Sequence, residues 1–375
     1  MLTRYDEMFC HQIVSTFDRP ATSAREWTER CWLMAHDMAG KVHLATGFGY
    51  YPNRNIMDAF ACFTLDGKTQ YNVRASRELR PDIDVFKVGP FSYEVTEPLK
   101  KVRFTLDENQ YGLSFDVEND GVSPPHEEEP GQFQLSRGRV KEDIKRFVQS
   151  GRPSGWIKAE GKTYKINKQT WVGERDRSWG IRIAGADFVE TGVQPLEIYD
   201  GLLFCFALMQ FERWGASFHI REIWDDKLGM VQTWHFSGSV FYPYGSEKEE
   251  LRLVSVEHNF EFNKDLPELR QLKGGHVVLQ AIDGSRRKVS IHPLTICYQK
   301  PGGYGGPYRG FVHGLWMGPY WIDGEKLDLT DPDVVREIWG YVDYGSEFRC
   351  GNEVGYGTTE LITVGKYPKY GYQGY

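Results

Sequence analysis

Several features that would assign a chemistry at once are missing from the sequence. None of its six cysteines (Cys10, Cys31, Cys62, Cys205, Cys297, Cys350) stands in a Cys-x-x-Cys pair, and no Cys/His set has zinc-finger spacing. That removes the usual zinc modules and leaves the cysteines reading as reduced, mostly buried thiols. Basic charge is in deficit, with 45 Lys and Arg against 52 Asp and Glu and a net charge of −7, which disfavours nucleic acid as a partner. The longest apolar run, GLLFCFALMQF at 201–211, is too short to span a bilayer. MLTRYDEMFCHQIV has no basic stretch followed by an apolar one, so no signal peptide is expected and the expected location is cytoplasmic. GxxxxGK[ST], a strand–helix GxGxxG, GxSxG and HExxH are all absent, so neither a nucleotide cofactor nor a metal nor the common hydrolase machinery is indicated. The glycine-rich GYGGPYRG at 303–310 reads as a flexible loop.

What is abundant is aromatic and glycine content. Aromatics make up 14% of the 375 residues, alongside 40 glycines, a mix that suits sheets joined by tight turns. Apolar alternation with a period of two runs through 41–51, 58–65, 91–98, 100–107 and 111–119. It resumes in the second half at 201–211, 216–224, 230–243, 251–262, 275–282 and 287–298. Four segments, FTLDGKTQYNV, IKAEGKTYKIN, LQAIDGSRRKVSI and YWIDGEKLDL, each read as a hairpin turning on an acidic residue and glycine. Helix is expected after Ser23-Ala24-Arg25-Glu26, which resembles a capping box, in KEDIKRFVQ (141–149), and in DPDVVREIWGY (331–341) with Asp331 as cap. Residues 122–133 read as an exposed acidic loop, and the tail from Lys366 as irregular. About fifteen strands in two runs predict an all-β protein of two antiparallel barrels or sandwiches with a few short helices. The predicted domains are 1–190 and 191–375, with the boundary in IAGADFVETGVQP.

The densest charge lies in GERDRSWGIR (173–182), between strand-like flanks. Three readings stand: a solvated hairpin end, a buried ion-pair network between domains, or an acid beside an aromatic wall, where burial raises a carboxyl pKa and a ring stabilises a cation. In SFHIREIW, His219 and Arg221 share a strand face opposite Phe218 and Ile220. Glu222 and the Tyr199-Asp200 pair are further polar candidates. Phe204, Phe206, Trp234 and Trp316 read as core or pocket wall. No two histidines or cysteines occur at i and i+2, so no metal site is expected.

GERDRSWGIR resembles the G-x-R-D-H-S-W-G-x-R signature of the double-barrel superfamily that includes AttH-like proteins, carotenoid 1,2-hydratases (hydroxyneurosporene synthases) and, more distantly, tocopherol cyclase. REWTERCWLMAHD (25–37), SYEVTEPLKKVRFTLD (92–107), FVHGLWMGPYWIDGEKLDL (311–329) and GYGTTE (355–360) are similar to elements of a bacterial tocopherol-cyclase-like branch, so the likeness spans most of the chain. Asp176, Trp179, Gly180 and Arg182 match the signature, whereas Arg177 stands where the family has His. Phe204 and Phe206 stand where the hydratases place a Tyr-x-Asp. The resemblance implies an all-β fold of two consecutive lipocalin-like antiparallel β-barrels, and a cofactor-independent enzyme, of lyase or isomerase type, that cyclises, isomerises, hydrates or dehydrates a hydrophobic (terpenoid, steroid-like or polycyclic) substrate between the barrels. Asp176 would serve as acid or as orienter of Arg177, Trp179 as wall, Arg177 or His219 as polar contact, and Glu222 as an alternative acid. Tyr199, Phe204, Phe206, Trp234 and Trp316 would line the site. A cytoplasmic carrier of an apolar metabolite would need the same cavity and no acid, and a homodimer is compatible with either.

Overall fold

The computed structural model describes residues 1–11, 13–129, 134–136, 139–182 and 200–374. The first half forms thirteen strands: β1 (Trp27–Asp37), β2 (Val42–Tyr51), β3 (Ile56–Leu65), β4 (Thr69–Glu78), β5 (Lys87–Val88), β6 (Phe91–Glu97), β7 (Lys101–Leu106), β8 (Leu113–Gly121), β9 (His126–Glu127), β10 (Gln134–Ser136), β11 (Arg139–Ala159), β12 (Lys162–Ile166) and β13 (Trp171–Arg182). The second half adds β14 (Gly201–Gln210), β15 (Gly215–Asp225), β16 (Met230–Phe241), β17 (Leu251–Phe262), β18 (Leu272–Ala281), β19 (Arg286–Tyr298), β20 (Tyr320–Asp328), helix α1 (Pro332–Ile338), β21 (Val342–Cys350), β22 (Glu353–Tyr367) and β23 (Tyr372–Gln373). Among the described residues, no helix is long and apolar enough to cross a membrane.

Two antiparallel sheets result. The second runs β14-β15-β16-β17-β18-β19-β21-β22 and closes because β14 also pairs with β22. Closure leaves no free edge and encloses a core in which Phe218, Ile220, Leu203 and Phe348 point inward. The first sheet runs β4-β3-β2-β1-β13-β11-β8-β7-β6-β5 and takes β20 from the second half onto the outer edge of β4. It curls like a half-barrel around Phe63, Phe104, Phe115 and Leu33.

β1, β2 and β3 are buried on both faces, which is why they read as nearly continuous apolar runs. In β3, Ala59, Ala61 and Phe63 face the first core. Phe60 and Cys62 face the other way and pack with Trp32, Met34, Ala45 and Cys297. This outer face, with that of β13, lies against β19, β22 and β14. The junction is also polar: Trp32 Nε1 donates to Gln299 Oε1 at 3.1 Å, and Gln70 Nε2 donates to the Tyr298 carbonyl at 2.8 Å.

Four expectations change. The segment after Ser23 is β1, not a helix, because both of its faces find an apolar partner. KEDIKRFVQ is the middle of β11, paired along its length with β13. YWIDGEKLDL is a single strand, since β4 supplies a continuous partner for Tyr320–Asp328 and Arg74 binds the would-be turn residue Asp323 at 2.5 Å. In the acidic loop, Glu128 is buried against Arg146. The other three hairpins pair as read, and α1 starts at its Asp331 cap. The expected boundary within 183–195 lies outside the described residues.

Candidate active site at the junction of the two sheets

Alternation along β13 divides the charge-rich run between two faces. Asp176 pairs in register with Trp32 and faces the junction, while its neighbour Arg177 pairs with Cys31 and faces the inside of the first sheet. An Asp176–Arg177 unit is therefore not formed. Arg177 makes its ion pair with Glu29 and lies 5.8 Å from the ring centroid of Trp179, which is 37% exposed. Trp179 therefore does not wall the junction. Gly180, at φ +133°, lets β13 pass close to Asp143, whose carbonyl a Cβ would strike.

The junction cleft is small, about 60 Å³. Trp32, Val148, Phe206, Leu208 and Tyr304 give it an apolar wall, and Asp176, Arg146, Arg175, Arg182, Tyr341 and Glu360 are among its ionisable groups. Asp176 lines this space and keeps a quarter of its side chain accessible. Its Oδ1, Arg146 Nε and Arg182 Nε are buried and make no hydrogen bond among the described residues. Leaving such groups unpaired is costly, on the order of 1–3 kcal/mol each, so the cleft is built to receive a polar partner. Burial pushes the Asp176 carboxyl up, and Arg146, 3.9 Å away, pulls it back. Arg182 is driven down to about 10 by burial and by the neighbouring Arg30 and Arg146.

Arg146 extends the site. Its Nη1 lies 3.6 Å from Glu128 Oε2, which lies 3.7 Å from His219 Nδ1. Burial alone would raise the Glu128 carboxyl, but Arg146 and His219 outweigh it and hold it well below the usual range. Arg221 Nε donates to His219 Nε2 at 3.3 Å, which leaves the ring proton on Nδ1. Burial brings His219 down to about 3, so the ring is neutral. Asp176 and His219 thus belong to one chain of charges, linked by Arg146 and Glu128.

On the far wall, the Tyr341 hydroxyl donates to Glu360 Oε2 at 2.7 Å. Glu174 is fully buried and accepts from the Thr358 amide at 3.1 Å; burial raises its carboxyl well above the usual range. Gly357 makes that approach possible, because a Cβ there would collide with Glu174 Oε1.

The other sequence candidates are dispersed. Glu222 follows the point where β16 bulges at Trp234 and faces the barrel interior, where it binds His258 Nε2 at 3.0 Å and the Tyr367 hydroxyl. It is away from Asp176. Phe206 lines the cleft, and Phe204 lies 5.1 Å from the His219 ring and 5.8 Å from that of Tyr341. Trp234 sits at the β16 side of the bulge, half-buried, and Trp316 is 49% exposed; neither lines the junction cleft. Tyr199 lies outside the described residues. Arg146, Glu128, Tyr341, Tyr304 and Glu360 were not singled out from the sequence. Only Glu360 left a signal, as the in-phase acid of GYGTTE. Among the described residues, no three His, Cys, Asp or Glu side chains come together as a cation site.

A second, larger space lies inside the first sheet. It measures about 1140 Å³ and is lined by Trp27, Phe48, Met57, Ile83, Phe86 and Tyr93, with Glu29, Cys31 and Arg177 among its polar groups. Residues of 4–11 and of 13–21 line part of its rim.

The fold is that of the double-sheet, lipocalin-like proteins. The solved structure of CghA with Sch210972 matches over 91% of this chain and 89% of that one, at 10% identity and a TM-score of 0.50. A protein of Nitrosomonas europaea described as an AttH candidate matches over 90% and 92% (12% identity, TM-score 0.48). Kievitone hydratase from Nectria haematococca matches over 94% and 93% (11% identity, TM-score 0.41). No curated protein sequence matches. The chain belongs to the family described as "Family of unknown function (DUF8625)", whose model matches residues 2–373.

Proposed function

We propose that the chain is a cofactor-independent enzyme that moves a proton on a hydrophobic small molecule at the junction cleft, in a cyclisation, isomerisation, hydration or dehydration. The observation that carries this reading is Asp176. Its carboxyl is raised by burial, backed by Arg146, and offers an unpaired buried oxygen to a cleft walled by Trp32, Phe206 and Tyr304. A group so placed exchanges protons with a bound substrate, and the aromatic wall favours a developing positive charge. The cleft admits a functional group and not a whole skeleton, so this reading places only the reacting end of the substrate among the charges. The fold match to CghA, solved with Sch210972, is in keeping with a small-molecule ligand.

The test is native mass spectrometry of freshly purified wild type and Asp176→Asn, followed by solvent extraction and mass analysis of whatever is bound. Substrate in the variant and product in the wild type support the enzyme, and turnover of the identified substrate should fall by about 10²-fold or more in the variant. A folded Asp176→Asn protein with unchanged turnover removes Asp176 from the chemistry. The inner cavity of about 1140 Å³ favours a second reading, a carrier of an apolar metabolite. In that case both extracts contain the same molecule.

A further inference from the structure

Behind the cleft lies an arrangement that the Asp176 chemistry leaves unused. Asp343 in β21 and Glu360 in β22 are direct cross-strand partners, so their side chains leave the sheet on the same face. Both are buried, at 0% and 8% exposure. Their carboxyls lie within hydrogen-bonding reach of each other, and a hydrogen bond between two carboxyls requires a proton on one of them. Each carboxyl also accepts from a fixed donor. Tyr341 donates to Glu360 at 2.7 Å, and Gln299 Nε2 donates to Asp343 Oδ2. The Gln299 amide cannot turn over, because Trp32 Nε1 occupies its oxygen at 3.1 Å. Asp343 Oδ1 accepts from no donor among the described residues. Of the two acids, only Glu360 reaches the cleft.

The surrounding charges reinforce the need for a proton. Glu360 faces Arg146 of β11 and Asp176 of β13 across the cleft, Tyr341 and Asp343 on its own side, and Cys205 of β14 behind; Asp343 faces Glu174 of β13 and Cys297 of β19 as well. Arg146 is already shared between Glu128 and Asp176. Two opposed carboxylates in such a place cannot both ionise.

We propose that Glu360 is the proton donor of the junction cleft and that Asp343, protonated behind it, is the positioning residue that keeps it poised. The proposal rests on the enzyme reading. In the step, the Glu360 O–H bond breaks as an electron pair of the substrate, from an oxygen or an alkene, forms the new bond to hydrogen. The pair passes from two protons to one. The carboxylate left on Glu360 is held by the hydroxyls of Asp343 and Tyr341, and a proton lost by the substrate cation to Asp176 across the cleft balances the charge. Burial, partly offset by the Tyr341 and Asp343 hydrogen bonds, brings Glu360 to about 7, where a group serves equally as acid and base.

The test is an infrared pH titration of the protein in heavy water, which needs no substrate, coupled to the extraction experiment. Wild type should show a carboxyl band that ionises near neutrality. Glu360→Gln should abolish it and Asp343→Leu should move it upward by a pH unit or more, whereas Asp343→Asn, which keeps a donor, should leave it near its original pH. Glu360→Gln should also accumulate unconverted ligand, with turnover lowered by about 10²-fold or more. Should Glu360→Gln fail to fold, Glu360→Asp, which retracts the carboxyl from Tyr341, must shift the band. Absence of a neutral-range band, or its persistence in Glu360→Gln, overturns the proposal. A lost band with an unaltered extract overturns the donor role. If Asp176→Asn still alters the extract, the enzyme reading survives that result; if it does not, both fall.

Discussion

Arg146 has two anionic neighbours, Glu128 at 3.6 Å and Asp176 at 3.9 Å, and its side chain is only 16% exposed. Replacing it with Met preserves the length of the side chain and removes the charge from both. Uncompensated buried charge costs about 3 kcal/mol or more, so Arg146→Met should lower the urea midpoint clearly. The further substitution of Glu128 by Gln should recover part of the loss, and purely additive losses would show that the two do not form a unit. This residue also marks the limit of what the sequence disclosed. GERDRSWGIR advertised Asp176, because five charges around a tryptophan are conspicuous. Arg146 sits in KEDIKRFVQ, where charges on both strand faces imitate helical spacing. Alternation says which neighbours share a face; it does not say which distant strand that face will meet.

Among the elements, β20 departs furthest from its sequence reading. It leaves the second half of the chain and completes the first sheet beside β4. Arg74, fully buried, anchors it through Asp323 at 2.5 Å and Glu325 at 2.9 Å, with a further bond to the Pro301 carbonyl at 3.3 Å. Arg74→Leu should therefore loosen this strand before the rest of the sheet. Amide exchange across Tyr320–Asp328 should rise by about 10²-fold, as a loss of about 3 kcal/mol implies, with β14–β22 pairing unchanged. Uniform acceleration through both sheets would refute this local account. Asp323-Gly324 read as a hairpin because Asp-Gly is a strong turn signal. A tertiary partner overrode it, and no local pattern encodes a partner some 250 residues upstream. The remaining Asp-Gly and Glu-Gly hairpins needed no distant strand, and there the local signal sufficed.

For the molecule as a whole, the junction carboxyls set a pH dependence. A folded-state pKa of about 7 for Glu360, against its ordinary 4.5, means that the folded protein holds a proton the unfolded chain has released. Stability should fall as pH rises from 4.5 to 7 and then level off. His219, lowered from 6.5 to about 3, acts in the opposite sense, with its contribution present above pH 6.5 and lost as pH falls toward 3. The two are separated by Glu360→Gln, which removes only the first. Relative to wild type, that variant should gain on the order of 2–3 kcal/mol between pH 5 and pH 8, read from urea midpoints. Parallel pH curves would remove Glu360 from this account. The all-β class was legible in strand periodicity, which left barrel and sandwich both open for the second sheet, whereas the buried polar junction was not legible, because it is assembled from strands that carry no mark of facing one another.

The borrowed strand also orders events during synthesis. β4 ends at Glu78, and its outer partner ends at Asp328. At about 5–20 residues per second, a ribosome spends roughly 12 to 50 seconds between releasing one and releasing the other. Throughout that interval the nascent first sheet presents an open hydrogen-bonding edge, and its rim is finished only when a strand some 250 residues downstream has appeared. Truncated products that stop short of Tyr320 carry that edge permanently, which makes them substrates for chaperones or for aggregation and not miniature versions of the whole.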